Sequence, residues 1–211
     1  MVRPVGSRAA SLRLFLALWP DEAVRRRIAA HRDGWSLPGS RGRMAPQDWH
    51  VTLHYIGGVA VERIPAVADG LAVSCAPFDL VLDQPRVWPR GLAVVEAAAI
   101  PAELAALHAA LAASLHRLAL PVEQRRFRPH LTLARHAHDA VPPREPEPIA
   151  WPARGYGLVA ATGRPEERYV VLRDYPAGPG RGTCRPSRRP LASGAGIRHA
   201  FHRLPGEGGQ R

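Results

Sequence analysis

Hydrophobic and polar residues alternate in several short stretches of the chain, as is typical of β-strands with one buried face. In residues 11–19, four leucines at every second position lie on one side, and Arg13 and Phe15 lie on the other. Further strands are predicted over 78–82, 91–98, 156–161 and 168–173, and residues 84–90 are predicted to be a loop or an irregular strand.

Three other stretches are predicted to be α-helices, and in the last of them leucines recur at the intervals of three and four residues that are typical of a helix. They run from Pro20 to about His31, from Val61 to Ala72, and from Pro101 to about Leu118. The proline-rich residues 136–152 are predicted to form a loop. The short connections favour antiparallel strands, so the pattern predicts an α+β protein with two similar halves.

Two of the predicted strands carry the same motif, His-x-Thr-Leu, 80 positions apart. Alternate side chains of a strand point to the same side. His50 and Thr52 therefore share one face, as do His130 and Thr132, and the apolar neighbours fill the opposite face. The repeat predicts one site built from both halves of the protein.

An imidazole beside a hydroxyl in each of two strands suits phosphodiester chemistry. Cleavage by water needs a base for the nucleophile and an acid for the leaving oxygen, and two histidines with pKa values near 6.5 supply both at neutral pH. Threonine hydroxyls donate hydrogen bonds to the non-bridging phosphate oxygens and stabilise their developing charge. Such a site requires no metal ion.

The motifs and their flanks resemble a known family. Residues 13–18, 50–57, 77–78, 127–135 and 169–172 are similar to the corresponding segments of the 2H phosphoesterases, and the resemblance covers about residues 12–176. Within that superfamily the sequence resembles the RNA 2′,3′-cyclic phosphodiesterases, also called 2′-5′ RNA ligases.

The resemblance implies a bilobal α+β fold with two pseudo-symmetric antiparallel sheets, flanking helices and a central cleft. It implies hydrolysis of RNA 2′,3′-cyclic phosphate ends to 2′-phosphomonoesters, with 2′-5′ RNA ligation as a side activity. By position in the motifs, the resemblance implies that His50 is the proton donor, that His130 is the proton acceptor, and that Thr52 and Thr132 bind the phosphate.

Three further residues are candidates for the same site. Arg128 stands two positions before His130 and is predicted to share its face, where it would contact phosphate. Arg135 follows the second motif as an arginine does in the family, although simple alternation would point it away from His130. His54 shares a face with His50 by alternation and is predicted to line the pocket or to alter substrate choice.

The composition divides the chain into a body and a tail. The 211 residues carry a formal net charge of +11, and because there is no lysine, all 29 basic residues are arginine. Residues 177–211 hold seven arginines and one glutamate, a charge of +6, which leaves +5 for the rest. We predict a flexible start over 1–10, one domain over 11–176, and a disordered basic tail over 177–211. The tail either binds RNA nonspecifically or is a solvated extension.

The remaining expectations concern cofactors, location and partners. The two cysteines show neither metal-ligand spacing nor a disulfide framework, no run approaches the length of a membrane span, and no cofactor or metal is predicted. Residues 12–19 faintly resemble a signal peptide, but the stretch is short and Arg13 interrupts it. We expect a cytoplasmic monomer that binds RNA with a 2′,3′-cyclic phosphate end, without a membrane or a protein partner.

Two alternatives to the RNA phosphodiesterase stay open. The first is a cyclic phosphodiesterase that acts on small nucleotides or on an ADP-ribose cyclic phosphate. The second is a noncatalytic module that binds RNA ends and keeps the cleft without turnover.

Overall fold

A computed structural model describes residues 10–39 and 42–178 of the chain. The strands are β1 (Ser11–Leu18), β2 (Val51–Ala60), β3 (Phe78–Leu82), β4 (Gln84–Trp88), β5 (Leu92–Glu96), β6 (His130–Ala134), β7 (Ile149–Ala153), β8 (Gly155–Ala161) and β9 (Tyr169–Pro176). The α-helices are α1 (Glu22–Asp33), α2 (Ile64–Gly70) and α3 (Ala102–Arg117), and single 3-10 turns cover Pro46–Asp48 and Val61–Arg63.

The strands form two antiparallel sheets. The larger sheet has seven strands in the order β4-β5-β6-β2-β1-β8-β9, and β3 and β7 form a separate pair. The two strands that carry the His-x-Thr motifs, β2 and β6, are neighbours at the centre of the larger sheet. The predicted α+β class, with antiparallel sheets and flanking helices, is confirmed.

The helices cover the sheets with the apolar faces that the sequence predicts. Helix α1 packs against β7, and α3 packs against β2. The Asp21 carboxylate accepts a 2.8 Å hydrogen bond from the Val24 amide and so caps the first turn of α1. In α3 the leucines at 104, 107, 111 and 115 are at most 2% exposed. This spacing of three and four residues places them on one stripe facing the core.

Strand β2 is irregular, and this irregularity corrects one prediction. Its pairing with β1 shifts register between Leu16 and Ala17, whose partners are His54 and Thr52, so Leu53 is an extra residue in β2. Such a β-bulge breaks the alternation of faces. His54 is therefore 1% exposed in the core and does not line the pocket with His50, as simple alternation predicted.

Three predicted elements differ from those observed. The loop predicted over 136–152 ends in β7, whose Pro152 is tolerated because each strand of a two-stranded sheet is an edge strand. The helix predicted from Val61 begins as a 3-10 turn and continues as the short α2. Residues 84–88 form β4, a regular partner of β5. The leader predicted over 1–10 and the tail over 177–211 lie almost wholly outside the described residues.

Candidate active site

The two motifs meet where β2 joins β6. Val51 pairs with Leu131, and in an antiparallel ladder this register places His50 across from Thr132 and Thr52 across from His130. Side chains directly opposite each other lie about 4.5–5.5 Å apart at Cβ. The two His-Thr pairs are thus related by an approximate twofold axis through the Val51–Leu131 pair.

These side chains surround a small cavity of about 70 Å³. Its size suits a single phosphate group better than a whole nucleotide. The residues that line it are Met44, Asp48, His50, Thr52, His130, Thr132 and Arg135. The structure therefore brings together both predicted histidines, both predicted threonines and one of the two predicted arginines.

Both imidazoles are anchored in the same way. The Nδ1 atom of His50 lies 2.7 Å from the carbonyl oxygen of Asp48, and Nδ1 of His130 lies 2.8 Å from that of Arg128. Because a carbonyl oxygen only accepts hydrogen bonds, Nδ1 carries a proton in each ring. The Nε2 atom is then left to accept or donate the exchangeable proton.

His50 sits in an aromatic cage. The ring of Trp19 stacks on it at 5.4 Å with an interplanar angle of 4°, while Phe15 lies at 5.0 Å and the edge of Tyr169 at 5.1 Å. Burial, together with the nearby charges of Arg135 and His130, lowers the pKa of His50 to about 4, although the hydrogen bond to the Asp48 carbonyl opposes this shift. His50 is therefore neutral at pH 7 when the site is empty.

His130 has a different neighbourhood, because a carboxylate stands behind it. The ring of Trp88 lies 4.4 Å from the ring of His130, and the Arg128 guanidinium lies over the Trp88 ring at 4.5 Å. Glu96 accepts hydrogen bonds from Arg128 at 2.7 and 3.0 Å and from the indole of Trp88. Burial lowers the pKa of His130, but the negative charge of Glu96 opposes this effect.

The ion pairs on the two sides have opposite polarity. The residue two positions before each histidine gives its carbonyl to the imidazole, and its side chain joins a salt bridge. On one side this residue is Asp48, paired with Arg168 at 3.5 Å, and on the other it is Arg128, paired with Glu96 at 2.7 Å. On the His50 side the carboxylate belongs to the anchoring residue itself, Asp48. On the His130 side it belongs to Glu96, the salt-bridge partner of the anchoring Arg128. The two histidines are therefore electrostatically distinct.

Arg135 reaches the cavity because β6 ends just before it. Its amide donates a 2.8 Å hydrogen bond to the carbonyl of Gly42, and the Met44 amide bonds to Leu133 in the same way. The close approach depends on Gly42, where an added Cβ would meet the Arg135 carbonyl oxygen at 2.1 Å. The alternation that pointed Arg135 away from His130 no longer applies beyond the strand.

Arg128 lies outside the phosphate cavity. Its side chain is held by Glu96 and lines a second, larger groove next to His130. Sequence reasoning also missed six residues of the site, namely Trp19, Met44, Asp48, Trp88, Glu96 and Tyr169. Asp48 could have been predicted from the sequence, because it stands two positions before His50. Glu96 could not, because it faces His130 only through the register of β5 with β6.

No group of three His, Cys, Asp or Glu side chains in residues 10–39 and 42–178 is placed to hold a metal ion. Over the same residues, no helix is both long and apolar enough to cross a membrane.

An antiparallel sheet that pairs two His-x-Thr strands around a phosphate-sized cavity defines a 2H phosphoesterase. The family model described as the 2′-5′ RNA ligase superfamily matches residues 19–154, more than half of the chain. The chain belongs to this superfamily, as its motifs predicted. A search of curated proteins found no match.

Solved structures show the same fold. A phosphoesterase of known crystal structure is 24% identical in sequence with a TM-score of 0.71, and the alignment covers 80% of this chain and 99% of that one. LigT of E. coli in complex with 3′-AMP is 25% identical with a TM-score of 0.70 and the same coverage. LigT in complex with phosphate is 25% identical with a TM-score of 0.65, covering 79% of this chain and 98% of that one.

Proposed function

We propose that this protein hydrolyses RNA 2′,3′-cyclic phosphodiester ends to 2′-phosphomonoesters by metal-free acid–base catalysis with two histidines. The observation that carries the proposal is the matched anchoring of His50 and His130, which leaves both Nε2 atoms for one phosphate-sized cavity that also holds Thr52 and Thr132. That a related protein was crystallised with phosphate and with 3′-AMP supports a phosphate-binding cleft.

In the proposed reaction, Nε2 of His130 accepts a proton from water as the water oxygen forms its bond to phosphorus. The bond between phosphorus and the 3′-oxygen breaks, and the 3′-oxygen takes the proton from Nε2 of His50. The products are a 3′-hydroxyl and a 2′-phosphate. Thr52, Thr132 and Arg135 bind the non-bridging oxygens, whose negative charge grows in the transition state.

This assignment of roles needs the substrate to change the protonation of the site. In the empty cavity His50 has a pKa of about 4 and burial also lowers the pKa of His130, so both imidazoles are neutral at pH 7. An anionic cyclic phosphate between the rings raises both pKa values, because an opposite charge stabilises the imidazolium. The substrate thereby supplies the charge that His50 needs to carry a proton.

The test is hydrolysis of a short RNA with a 2′,3′-cyclic phosphate end, in EDTA, with the product ends identified. We expect a 2′-phosphate and no loss of rate in the chelator. A 3′-phosphate product, or a rate abolished by EDTA and restored by a divalent cation, contradicts the proposal. Joining of a 2′,3′-cyclic end to a 5′-hydroxyl RNA under the same conditions tests the ligase side activity.

The second candidate function is hydrolysis of small cyclic nucleotides. It is favoured by the crystal structure of LigT with a mononucleotide, 3′-AMP. Rates that are independent of RNA length distinguish this function from the first. A protein that binds RNA ends without turning over any cyclic phosphate is the noncatalytic alternative.

A further inference from the structure

Among the described residues that line the phosphate cavity, one is acidic, Asp48. Its side chain is only 9% exposed, and the residue ends the 3-10 turn Pro46–Asp48, two positions before His50. A carboxylate repels an anion such as phosphate, so an acidic residue is unexpected in this wall. The proposed reaction assigns no role to its side chain.

The carboxylate of Asp48 has an incomplete set of partners. It accepts no hydrogen bond from residues 10–39 and 42–178, and its ion pair is with Arg168, whose Nε lies 3.5 Å from Oδ2. Burial raises the pKa of Asp48, and the positive charge of Arg168 opposes this shift, which favours the ionised carboxylate. Arg168 is half-exposed and does not line the cavity, so the ion pair presents its negative member to the ligand.

The charged groups that line the empty cavity sum to zero. Arg135 contributes one positive charge and Asp48 one negative charge, while His50 and His130 are neutral at pH 7 because burial lowers both pKa values. Without Asp48 the cavity would carry a net positive charge and would bind any phosphate group more tightly. Because Coulomb energy is proportional to charge, the carboxylate repels a dianion about twice as strongly as a monoanion.

Hydrolysis of a cyclic phosphate changes the ligand in the direction that Asp48 opposes. The cyclic phosphodiester carries one negative charge. Water adds to phosphorus as the bond to the 3′-oxygen breaks, and the product is a monoester with a new P–OH group. This group loses its proton with a pKa of about 6, so the product is nearly a dianion at pH 7. Substrate and product thus differ by about one negative charge at the same place in the cavity.

We propose that Asp48 is a specificity-determining residue that selects ligands by charge, so that the cavity accepts a monoanionic phosphodiester and disfavours a dianionic phosphomonoester. The inference rests on the proposed function, because it takes the cavity as the site of the reacting phosphate. Repulsion by Asp48 promotes release of the 2′-phosphate product. It also keeps inorganic phosphate and other phosphomonoesters from occupying the site.

The experiment compares two ligands of the same shape and different charge, adenosine 2′-phosphate and adenosine 2′-sulfate. At pH 8 the phosphate is a dianion and the sulfate is a monoanion, and neither contains a phosphodiester that the protein could cleave. Dissociation constants are measured by titration calorimetry for the wild type, Asp48→Asn and Asp48→Ala, after thermal unfolding has shown that each variant is folded. The matched control is Asp79→Asn, because Asp79 is an exposed carboxylate on β3 outside the cavity.

We expect each Asp48 variant to bind the sulfate about tenfold, and the phosphate about a hundredfold, more tightly than the wild type does, because the lost repulsion is proportional to ligand charge. The ratio of the two dissociation constants thus changes about tenfold, and it stays constant in the control. Asp48→Asn keeps the shape of the side chain and Asp48→Ala adds no hydrogen-bond donor, so a change in both variants is due to the lost charge.

Three results would overturn the inference. They are an equal gain for both ligands, an unchanged or weaker binding of the phosphate, and a changed ratio in Asp48→Asn without one in Asp48→Ala, which would assign the effect to the new amide donor. Product inhibition gives a second readout: with adenosine 2′,3′-cyclic phosphate as substrate, the inhibition constant of adenosine 2′-phosphate divided by KM should fall about tenfold in both Asp48 variants.

The binding measurement separates this inference from the proposed function. If the wild type turns over no cyclic phosphate, the proposed function fails, and the ratio of the two dissociation constants still decides on Asp48. If the wild type does turn over a cyclic phosphate but the ratio is the same in all four proteins, the proposed function stands and charge selection by Asp48 is rejected.

Discussion

Val51 and Leu131 pair across the junction of β2 and β6, and this register pair sets the geometry of the whole site. Each residue is the x of a His-x-Thr motif and has no exposed surface. Their side chains hold the two strands together from the core side, so the histidines and threonines emerge on the other face. Two motifs 80 positions apart thus become one cavity.

The first prediction concerns the two histidines. His50→Gln and His130→Gln should each lower kcat/KM on a cyclic phosphate by about 10²- to 10⁴-fold, the usual contribution of a general acid or base. The double variant should be little worse than either single variant, because groups that act as a unit are not additive. His116→Gln is the control, since His116 is an exposed histidine on α3.

The separate roles of the two histidines are tested with a phosphodiester whose leaving group is nitrophenolate. Such a leaving group needs no proton, so a missing general acid costs less than a missing base. We expect His50→Gln to be less impaired than His130→Gln on this substrate. If instead His50→Gln is the more impaired variant, His50 is the proton acceptor and His130 is the proton donor.

The second prediction is the pH dependence of the free enzyme. The pKa of His50 is about 4 and that of His130 is also lowered, so the profile of kcat/KM should be a bell with its alkaline limb below pH 6.5. The profile of kcat should lie at higher pH, because the bound phosphate raises both pKa values. A kcat/KM optimum above pH 7 contradicts the low pKa values of the empty site.

The third prediction assigns a positioning role to Glu96. Glu96→Gln removes the negative charge that opposes the low pKa of His130, so the limb of the kcat/KM profile that reports His130 should move to lower pH, and the less basic imidazole should lower the rate at pH 7 a few-fold. The control is Glu123→Gln, because Glu123 is an exposed carboxylate that pairs only with the neighbouring Arg125 among the described residues. A lower rate without a shift of the limb would indicate a merely structural contribution.

The fourth prediction concerns the loop that carries Arg135. Gly42→Ala should lower kcat/KM by about tenfold or more, because the added Cβ displaces the Arg135 backbone from the cavity. Gly39→Ala is the matched control, since Gly39 also has a positive φ, +80°, but has no atom within 4 Å of the added Cβ. Equal effects of the two substitutions on activity would show that backbone strain, and not the contact with Arg135, is responsible.

The fifth prediction concerns a buried pair of histidines outside the active site. The rings of His54 and His108 stack at 4.0 Å, His54 Nε2 bonds to the His108 carbonyl at 2.9 Å, and His54 Nδ1 has no partner in the described part of the chain. Burial lowers the pKa of both, that of His108 to about 4. In the unfolded chain each of these histidines has a pKa near 6.5. Between about pH 4 and pH 6.5 the unfolded chain therefore binds more protons than the folded protein.

Stability should accordingly be full above pH 6.5 and fall as the pH drops towards 4, by about 1–2 kcal/mol once solvent screening of the partly exposed His108 is allowed for. His54→Leu should flatten this dependence while the free energy of unfolding at pH 7 changes by about 1 kcal/mol or less. Urea unfolding at several pH values gives the measurement. An undiminished acid sensitivity in the variant would place its origin elsewhere, for example in His50 and His130, whose pKa values burial also lowers.

Much of this protein follows from sequence alone, because periodicity and motif are local properties. The leucine stripe predicted helix α3 and the alternation of residues predicted strand β1, and neither prediction needed knowledge of the segments that pack against them. The two His-x-Thr motifs likewise identified the four residues at the centre of the site. Each motif needs only the two-residue period of a strand to bring its histidine beside its threonine.

Tertiary structure decided everything that depends on register. The bulge at Leu53 turned His54 into the core, and the turn after β6 brought Arg135 into the cavity. Pairing of β5 with β6 put Glu96 behind His130, which makes the two histidines unequal. The alternation of apolar and polar residues describes a single strand, so it predicts neither the position of a β-bulge nor the register of a neighbouring strand. Both are set by hydrogen bonds between segments that are far apart in the chain.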